Sequence, residues 1–146
     1  MSSAKEFLQQ LEVYDSIINR RMARCGRLRA EAMRTTPVMR EVCVQAGGYL
    51  DRISDKVCAI ADMEREIDFY VDIYDDIKQE VMLMLARMEN EKQREVLYRR
   101  YIERKPLKKV QQEMHYRSYR GICYLHGNAL AAFQKIMEEA DTDEEH

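Results

Sequence analysis

The side chains with the clearest chemical potential in this sequence lie between Glu91 and Met137, where basic, aromatic and amide groups are frequent. This segment has eleven Lys or Arg residues and four Glu residues, a net charge of +7, although the whole chain has a net charge of -2. Arginine and asparagine side chains match the hydrogen-bonding edges of bases, and lysine neutralises phosphates. The segment therefore suits a polyanionic partner.

Two kinds of contact with double-stranded DNA can be distinguished within this segment. The arginine and tyrosine side chains after His115 are predicted to approach base edges in the major groove, and the lysines before it to hold phosphates. We expect no cofactor and no metal ion in this site. The candidate DNA-binding residues are Lys105, Lys108, Lys109, Arg117, Ser118, Tyr119, Arg120, Tyr124 and Asn128.

Three helices are predicted to position these side chains. The first, Glu91 to Glu103, has apolar residues at one-turn spacing, with acids early and arginines late, as the helix dipole favours. The second begins at Pro106, because proline at a first helical position loses no hydrogen bond. The third follows a short turn and is predicted to begin with Ser118 as its N-cap. Its apolar stripe consists of Ile122, Leu125, Ala129 and Phe133.

The order of these signals predicts a helix-turn-helix DNA reader. The alternative from charge alone is a helical hairpin whose solvated faces are basic. A proline start, a short turn and a serine cap in the correct order favour the DNA reader.

Three short motifs in this segment resemble a known group of proteins. They are Arg100-Tyr101-Ile102, Ser118-Tyr119-Arg120 and Leu125-His126-Gly127-Asn128-Ala129-Leu130. The segment resembles region four of sigma factors, and it is more closely similar to the phage and prophage late-gene transcriptional regulators related to RinA and ArpU. One departure is Arg117, which separates Tyr116 from Ser118 where those proteins run Tyr-Ser directly.

The resemblance implies a transcriptional regulator of phage or prophage type that binds promoter or operator DNA sequence-specifically. Two alternatives remain open: an interaction protein that docks on RNA polymerase without reading DNA, and a DNA-packaging component. We expect no enzyme, because the sequence has no Gly-rich phosphate loop, nucleophile elbow or HExxH motif.

The N-terminal half is predicted to form a long antiparallel helical hairpin, coiled-coil-like, that serves oligomerisation or partner contact. Residues 4 to 33 and 50 to 88 each have apolar residues at alternating spacings of three and four, which is typical of a coiled-coil seam. Between them, Pro37 and the Gly47-Gly48 pair are predicted to break the helix. A homo-oligomer is therefore one expected assembly.

Each seam has one charged residue, Arg21 in the first and Glu64 in the second. If these two residues meet, every seam position of one helix faces a seam position of the other. A one-heptad slip would place each charge against an apolar side chain, at a cost of several kcal/mol by order of magnitude. Arg21 and Glu64 are therefore predicted to form the pair that fixes the register. The arginines from Arg20 to Arg29 are expected to pair with the acidic second helix, or alternatively to contact phosphates.

Composition places the chain in the all-α class, with two prolines, five glycines and no Trp. It shows neither a membrane-spanning run nor a secretory leader, so a cytoplasmic location in a bacterial host is expected, with no membrane partner. The four cysteines are expected to be small buried thiols. The predicted domains are a hairpin at 1–90, the helix-turn-helix at 91–137 and an acidic disordered tail at 138–146.

Overall fold

The computed structural model describes residues 3–42 and 48–144, and every regular element in these ranges is helical. The all-α prediction is confirmed. None of the helices across these ranges could span a bilayer, because charged residues recur along each long one. The elements are α1 (Ala4–Val42), α2 (Gly48–Ala86), α3 (Glu91–Leu97), a π-turn (Tyr98–Ile102), α4 (Leu107–Glu113) and α5 (Tyr119–Glu144).

Helix α1 begins with a reciprocal cap and continues through the predicted break. Ser3 Oγ accepts a hydrogen bond from the Glu6 amide at 3.2 Å, and Glu6 Oε2 accepts one from the Ser3 amide at 3.3 Å. The prediction that Pro37 ends the helix is wrong, since α1 continues to Val42. Proline removes one backbone hydrogen bond at that position. The hydrogen bonds of the other turns are enough for the 39-residue helix to continue. Cys43 and Gly47 lie outside the described residues.

The chain divides into two compact units, and the division does not fall at residue 90. Unit 1 consists of Met1–Val13 and Tyr74–His146, and unit 2 consists of Tyr14–Ile73. The ends of the two long helices therefore belong to the same unit as the C-terminal helices. The boundaries predicted from sequence are corrected accordingly.

Unit 1 has one core, in which the first turns of α1 meet residues from every later helix. Leu8 and Leu11 of α1 are fully buried in a single cluster with Val81 of α2, and the ring of Phe7 stacks on that of Phe133 with centroids 6.3 Å apart. The amide of Ala4 donates to Gln134 Oε1 at 2.6 Å. The other fully or almost fully buried residues of this core include Leu85, Met88, Val96, Leu97, Tyr101, Val110, Ile122 and Ala129.

Within unit 2, the contacts between α1 and α2 show that the two helices are antiparallel. The rings of Tyr14 and Tyr70 lie 6.3 Å apart, and further along α1 the Glu31 carboxylate lies 4.0 Å from Lys56 Nζ. Ile18 and Cys25 of the first predicted seam are buried, as the repeat predicts. The second seam differs from its prediction at Val57, which is exposed, and the Leu50 side chain lies outside the described residues.

The predicted register pair is corrected by the ion pairs of unit 2. Arg21 pairs with Glu66 and stacks its guanidinium over the Tyr70 ring at 5.0 Å, whereas Glu64 pairs with Arg29. Both charged side chains lie at the partly exposed edge of the interface, where long side chains reach past the nearest residue to a more distant partner. A charge at a seam position therefore does not fix its partner.

The acidic C-terminal segment also differs from its prediction. Residues 138–144 continue α5, and only 145–146 lie outside the described residues. Ile136 is buried and Ala140 is half-buried, so the apolar stripe of α5 continues into the acidic segment. The Thr142 hydroxyl donates to the Glu138 carbonyl at 2.9 Å. Packing along this stripe extends a helix that composition alone predicts to fray.

Candidate nucleic-acid interface

The exposed face of α5 presents three of the predicted base-contacting residues in one stripe. Arg120, Tyr124 and Asn128 follow each other at one-turn spacing, and all three are exposed, with Tyr124 73% accessible. The opposite stripe includes Ile122 and Phe133, both fully buried. Because the buried stripe anchors α5 in the core of unit 1, the three polar side chains point to solvent from a fixed helix.

The turn between α4 and α5 has a defined geometry. Arg117 makes this turn longer but does not disorder it. His115 adopts a left-handed conformation with φ of 60°, and its amide donates to the Gln112 carbonyl at 3.2 Å. The Tyr116 amide donates to the Gln111 carbonyl at 3.0 Å. Together these bonds form a Schellman motif, which satisfies the last carbonyls of α4. Arg117 then lies exposed just before α5.

Ser118 caps α5 as predicted. Its Oγ accepts a hydrogen bond from the Gly121 amide at 3.1 Å. The same contact explains the glycine, since a Cβ at Gly121 would lie 3.2 Å from that oxygen. The Ser118 hydroxyl is therefore bonded within α5. Ser118 is exposed, as are its neighbours Arg117 and Tyr119.

Tyr119 has a partner of its own on α5. The Cys123 side chain one turn later raises the pKa of Tyr119. The ring remains about half exposed. Cys123 itself is half-buried and Cys25 is buried, but Cys58 is exposed, which corrects the prediction that the cysteines are buried.

Helix α4 presents Lys108 and Lys109 to solvent and buries Val110. Pro106 lies one residue before the helix in an extended conformation, with ψ of 151°, so the helix begins at Leu107 and not at the proline. The alternation of exposed lysines with a buried valine follows the helical period.

The third predicted phosphate ligand, Lys105, differs from the other two lysines. Its ammonium lies 2.9 Å from Glu113 Oε1 and 2.5 Å from Glu103 Oε2. These two carboxylates raise the pKa of Lys105, with Glu103 contributing most. The charge of Lys105 is therefore engaged in ion pairs within the fold.

Glu113 is a residue that sequence reasoning missed. Its carboxylate also accepts a hydrogen bond from Arg99 Nη1 at 2.7 Å, so it joins the π-turn and the α3–α4 connection to α4. The bonds from Lys105 and Arg99 lower the pKa of Glu113, with Lys105 contributing most. The only signal in the sequence is that Glu113 is one of four acids among eleven bases.

The helix predicted from Glu91 to Glu103 changes from α-helical to π-helical winding before it ends. After Leu97 the chain forms the π-turn, in which the Glu103 amide donates to the Tyr98 carbonyl at 3.0 Å. Arg104 then adopts a left-handed conformation with φ of 57°. The prediction of one helix from Glu91 to Glu103 is therefore correct for its start and wrong for its final turn. Wide turns of this kind are frequent at functional sites.

A hydrogen-bonded ring pair joins the π-turn to α5. Tyr101 Oη lies 2.9 Å from His126 Nε2, and the two rings stack with centroids 5.7 Å apart. Burial is the main cause that lowers the pKa of His126, and the nearby Arg100 acts in the same direction. Burial also raises the pKa of Tyr101. Both rings are therefore held neutral, and the tyrosine hydroxyl can donate to the unprotonated nitrogen.

The lowered pKa of His126 predicts a loss of stability on mild acidification. The unfolded state, with an imidazole pKa of about 6.5, binds more protons than the folded state. The contribution to stability is therefore complete above about pH 6.5 and decreases as the pH falls toward the folded value, by at most about 1.4 kcal/mol per pH unit. Chemical unfolding of the parent and of His126→Gln between pH 8 and 5 measures this difference. A parent slope no steeper than that of the variant would contradict it.

We call residues 91–137 the basic module. Its four acids all belong to internal ion pairs. Glu91 lies 4.0 Å from Arg94, Glu95 lies 3.0 Å from Arg99, and Glu103 and Glu113 hold Lys105. Within the part of residues 91–137 that the structure describes, seven of the eleven bases have no carboxylate within 4 Å. Four of these seven bases lie on the exposed face of α4 and around the start of α5, namely Lys108, Lys109, Arg117 and Arg120. The other three are Lys92, Arg100 and Lys135.

Comparisons with known proteins identify no relative. No protein-family model matches this chain, and neither a curated protein nor a solved structure matches it. Among residues 3–42 and 48–144, no group of three His, Cys, Asp or Glu side chains lies close enough to hold a metal ion.

Proposed function

We propose that this protein is a sequence-specific DNA-binding transcriptional regulator of phage or prophage type, with a sigma-like helix-turn-helix formed by α4 and α5. The observation that supports this best is the distribution of charge. All four acids of the module are engaged in internal pairs, and four of its seven unpaired bases, Lys108, Lys109, Arg117 and Arg120, lie together on α4 and around the start of α5. Unpaired bases on α4 and around the start of α5 are suited to contact the phosphates that line a DNA groove.

In this mechanism α5 enters the major groove with its first two turns. Arg120 and Tyr124 face the base edges, Asn128 reaches the far end of the contact, and Arg117 precedes the helix. Lys108 and Lys109 of α4 hold phosphates and set the orientation. Lys105 and Glu113 act differently, because Glu113 holds α4 to the π-turn through Arg99 and to the α3–α4 connection through Lys105.

This division of roles predicts two different effects on DNA binding. Arg120→Ala should relax sequence preference at a cost of about 1 to 3 kcal/mol on the preferred site. Lys108→Ala should weaken binding to all sequences similarly and reduce the salt slope by about one, because it removes one phosphate contact. Selection of bound fragments from random duplex DNA, followed by titrations at several salt concentrations, measures both effects.

Arg65→Ala provides a matched control, because Arg65 is an exposed base in unit 2 that pairs with Asp62 one turn away. It should leave both affinity and preference unchanged. If Arg120→Ala and Lys108→Ala reduce binding to every sequence equally, the division of roles is wrong. If the parent shows no salt-dependent binding to duplex DNA, the proposed function itself is wrong.

A second candidate function is docking on RNA polymerase without DNA reading. Two exposed tyrosines favour it, since Tyr98 and Tyr124 are accessible and tyrosine is frequent at protein interfaces. Retention of purified RNA polymerase by the protein at salt concentrations that abolish DNA binding would support this candidate over the first.

A further inference from the structure

One face of unit 2 presents apolar side chains to solvent around a single ion pair. On α1, Met22, Gly26, Arg29 and Met33 follow each other at spacings of four, three and four, which places them on one stripe of the helix. Met22 is 54% accessible and Met33 is 76% accessible. These methionines lie outside the seam that faces α2.

Helix α2 contributes a matching stripe to the same side. Val57, Ala61 and Glu64 follow each other at one-turn spacing, and Val57 is 57% accessible. Because Glu64 pairs with Arg29, the two stripes lie on the same side of the helix pair. We call this surface the Arg29 face, defined by Met22, Gly26, Arg29, Met33, Val57, Ala61 and Glu64.

Gly26 leaves open space on the Arg29 face for the close approach of another backbone. No atom lies within 4 Å of the position that a Cβ on Gly26 would occupy, so packing within this chain does not require glycine there. Glycine inside a helix is destabilising relative to alanine. A glycine in the middle of a 39-residue helix is explained when a neighbouring helix lies against it.

We propose that a second copy of this chain covers the Arg29 face, giving a two-fold dimer with four helices. The charge pattern favours this occupant. Residues 14–34 have six Arg and two acids, a net +4, and residues 52–73 have three bases and six acids, a net -3. A two-fold axis parallel to the helices sets α1 of each copy against α2 of the other, so that opposite charges meet at both contacts.

The same symmetry makes the centre of the face complementary to itself. Arg29 pairs with Glu64 of its own chain, and in the dimer each Arg29 also lies against Glu64 of the partner subunit. Four charges of alternating sign result. The exposed methionines and Val57 then pack on either side of this group, as apolar anchors do at interfaces.

The area of the Arg29 face is sufficient for a dimer. From residue 14 to residue 33 the face is about 30 Å long, and two adjacent helices are about 20 Å wide. This corresponds to about 600 Å² on each copy, or about 1,200 Å² in total, which is at the lower end of stable interfaces. A dimer that dissociates at low concentration is expected.

The oligomeric state of the full chain in the absence of DNA tests this inference, which does not depend on the proposed function. Sedimentation equilibrium of the parent should show a monomer–dimer equilibrium. Met33→Glu should raise the dimer dissociation constant at least about tenfold, because it places an unpaired charge in the interface. Leu83→Glu is the matched control, since Leu83 is equally exposed but lies in unit 1, and it should leave the constant unchanged.

Gly26→Leu tests the close approach without weakening the fold, because leucine favours the helix more than glycine does. It should raise the dimer dissociation constant at least about tenfold while the thermal midpoint of the monomer stays the same or rises. A parent that remains monomeric at about 100 μM, which is well above the micromolar constants of weak complexes, would overturn the proposal. So would a dimer that Met33→Glu and Gly26→Leu leave intact, or one that Leu83→Glu disrupts to the same extent.

Discussion

Phe133→Ala is expected to lower the free energy of unfolding by about 3 to 5 kcal/mol, because it leaves a cavity at the centre of unit 1. The Phe133 side chain is fully buried and its ring stacks on that of Phe7. The substitution removes both the buried apolar area and the contact between α5 and the start of α1. Urea unfolding followed by circular dichroism measures the change.

Tyr124→Ala is the matched control for this result. Tyr124 is an aromatic residue on the same helix, but it is 73% exposed, so its removal should change stability by less than about 0.5 kcal/mol. Equal losses for the two variants would show that α5 does not bury the stripe that contains Phe133.

Leu8→Ala is expected to have the second largest effect, about 2 to 5 kcal/mol. Leu8 lies near the start of α1 and is fully buried in the same core as residues of α3, α4 and α5. The substitution should therefore lower the stability of α5 against unfolding, although Leu8 lies more than a hundred residues before that helix in the sequence. Near-ultraviolet circular dichroism reports this directly, because Phe7, Tyr101 and Phe133 belong to that core.

Val13→Ala provides the comparison on the same helix, since Val13 is 55% exposed. It should cost less than about 1 kcal/mol, which is the range for a partly exposed methyl pair and a small change in helix propensity. If Leu8→Ala left the C-terminal helices as stable as Val13→Ala does, the N-terminal turns would not belong to unit 1.

The features that the sequence predicted correctly depend on residues close together in the chain. The N-cap at Ser118 and the stripe through Ile122 and Phe133 follow from helical spacing, which burial enforces over a few turns. The first seam was predicted for the same reason, and its residues Ile18 and Cys25 are buried. The all-α class follows from composition together with these periods.

The features that could not be predicted from the sequence depend on contacts between side chains that no local spacing brings together. Glu113 joins Arg99 and Lys105, and no spacing rule identifies that set. The register of unit 2 was predicted from one charge in each seam, but long side chains at a partly exposed edge choose among several partners. The contribution of residues 3–13 to the core of unit 1 requires contacts across the chain that periodicity does not encode.

The discontinuity of unit 1 has a consequence for the order in which the molecule is made. Leu8 and Leu11 leave the ribosome well before their partners Ile122, Ala129 and Phe133, which lie more than a hundred residues later in the chain. Contacts of such large sequence separation form slowly. Until α5 emerges, the start of α1 exposes an apolar surface, whereas the contacts of unit 2 need only residues up to 73. Nascent chains are therefore expected to acquire the helix pair first and to complete the basic module only after α5 has emerged.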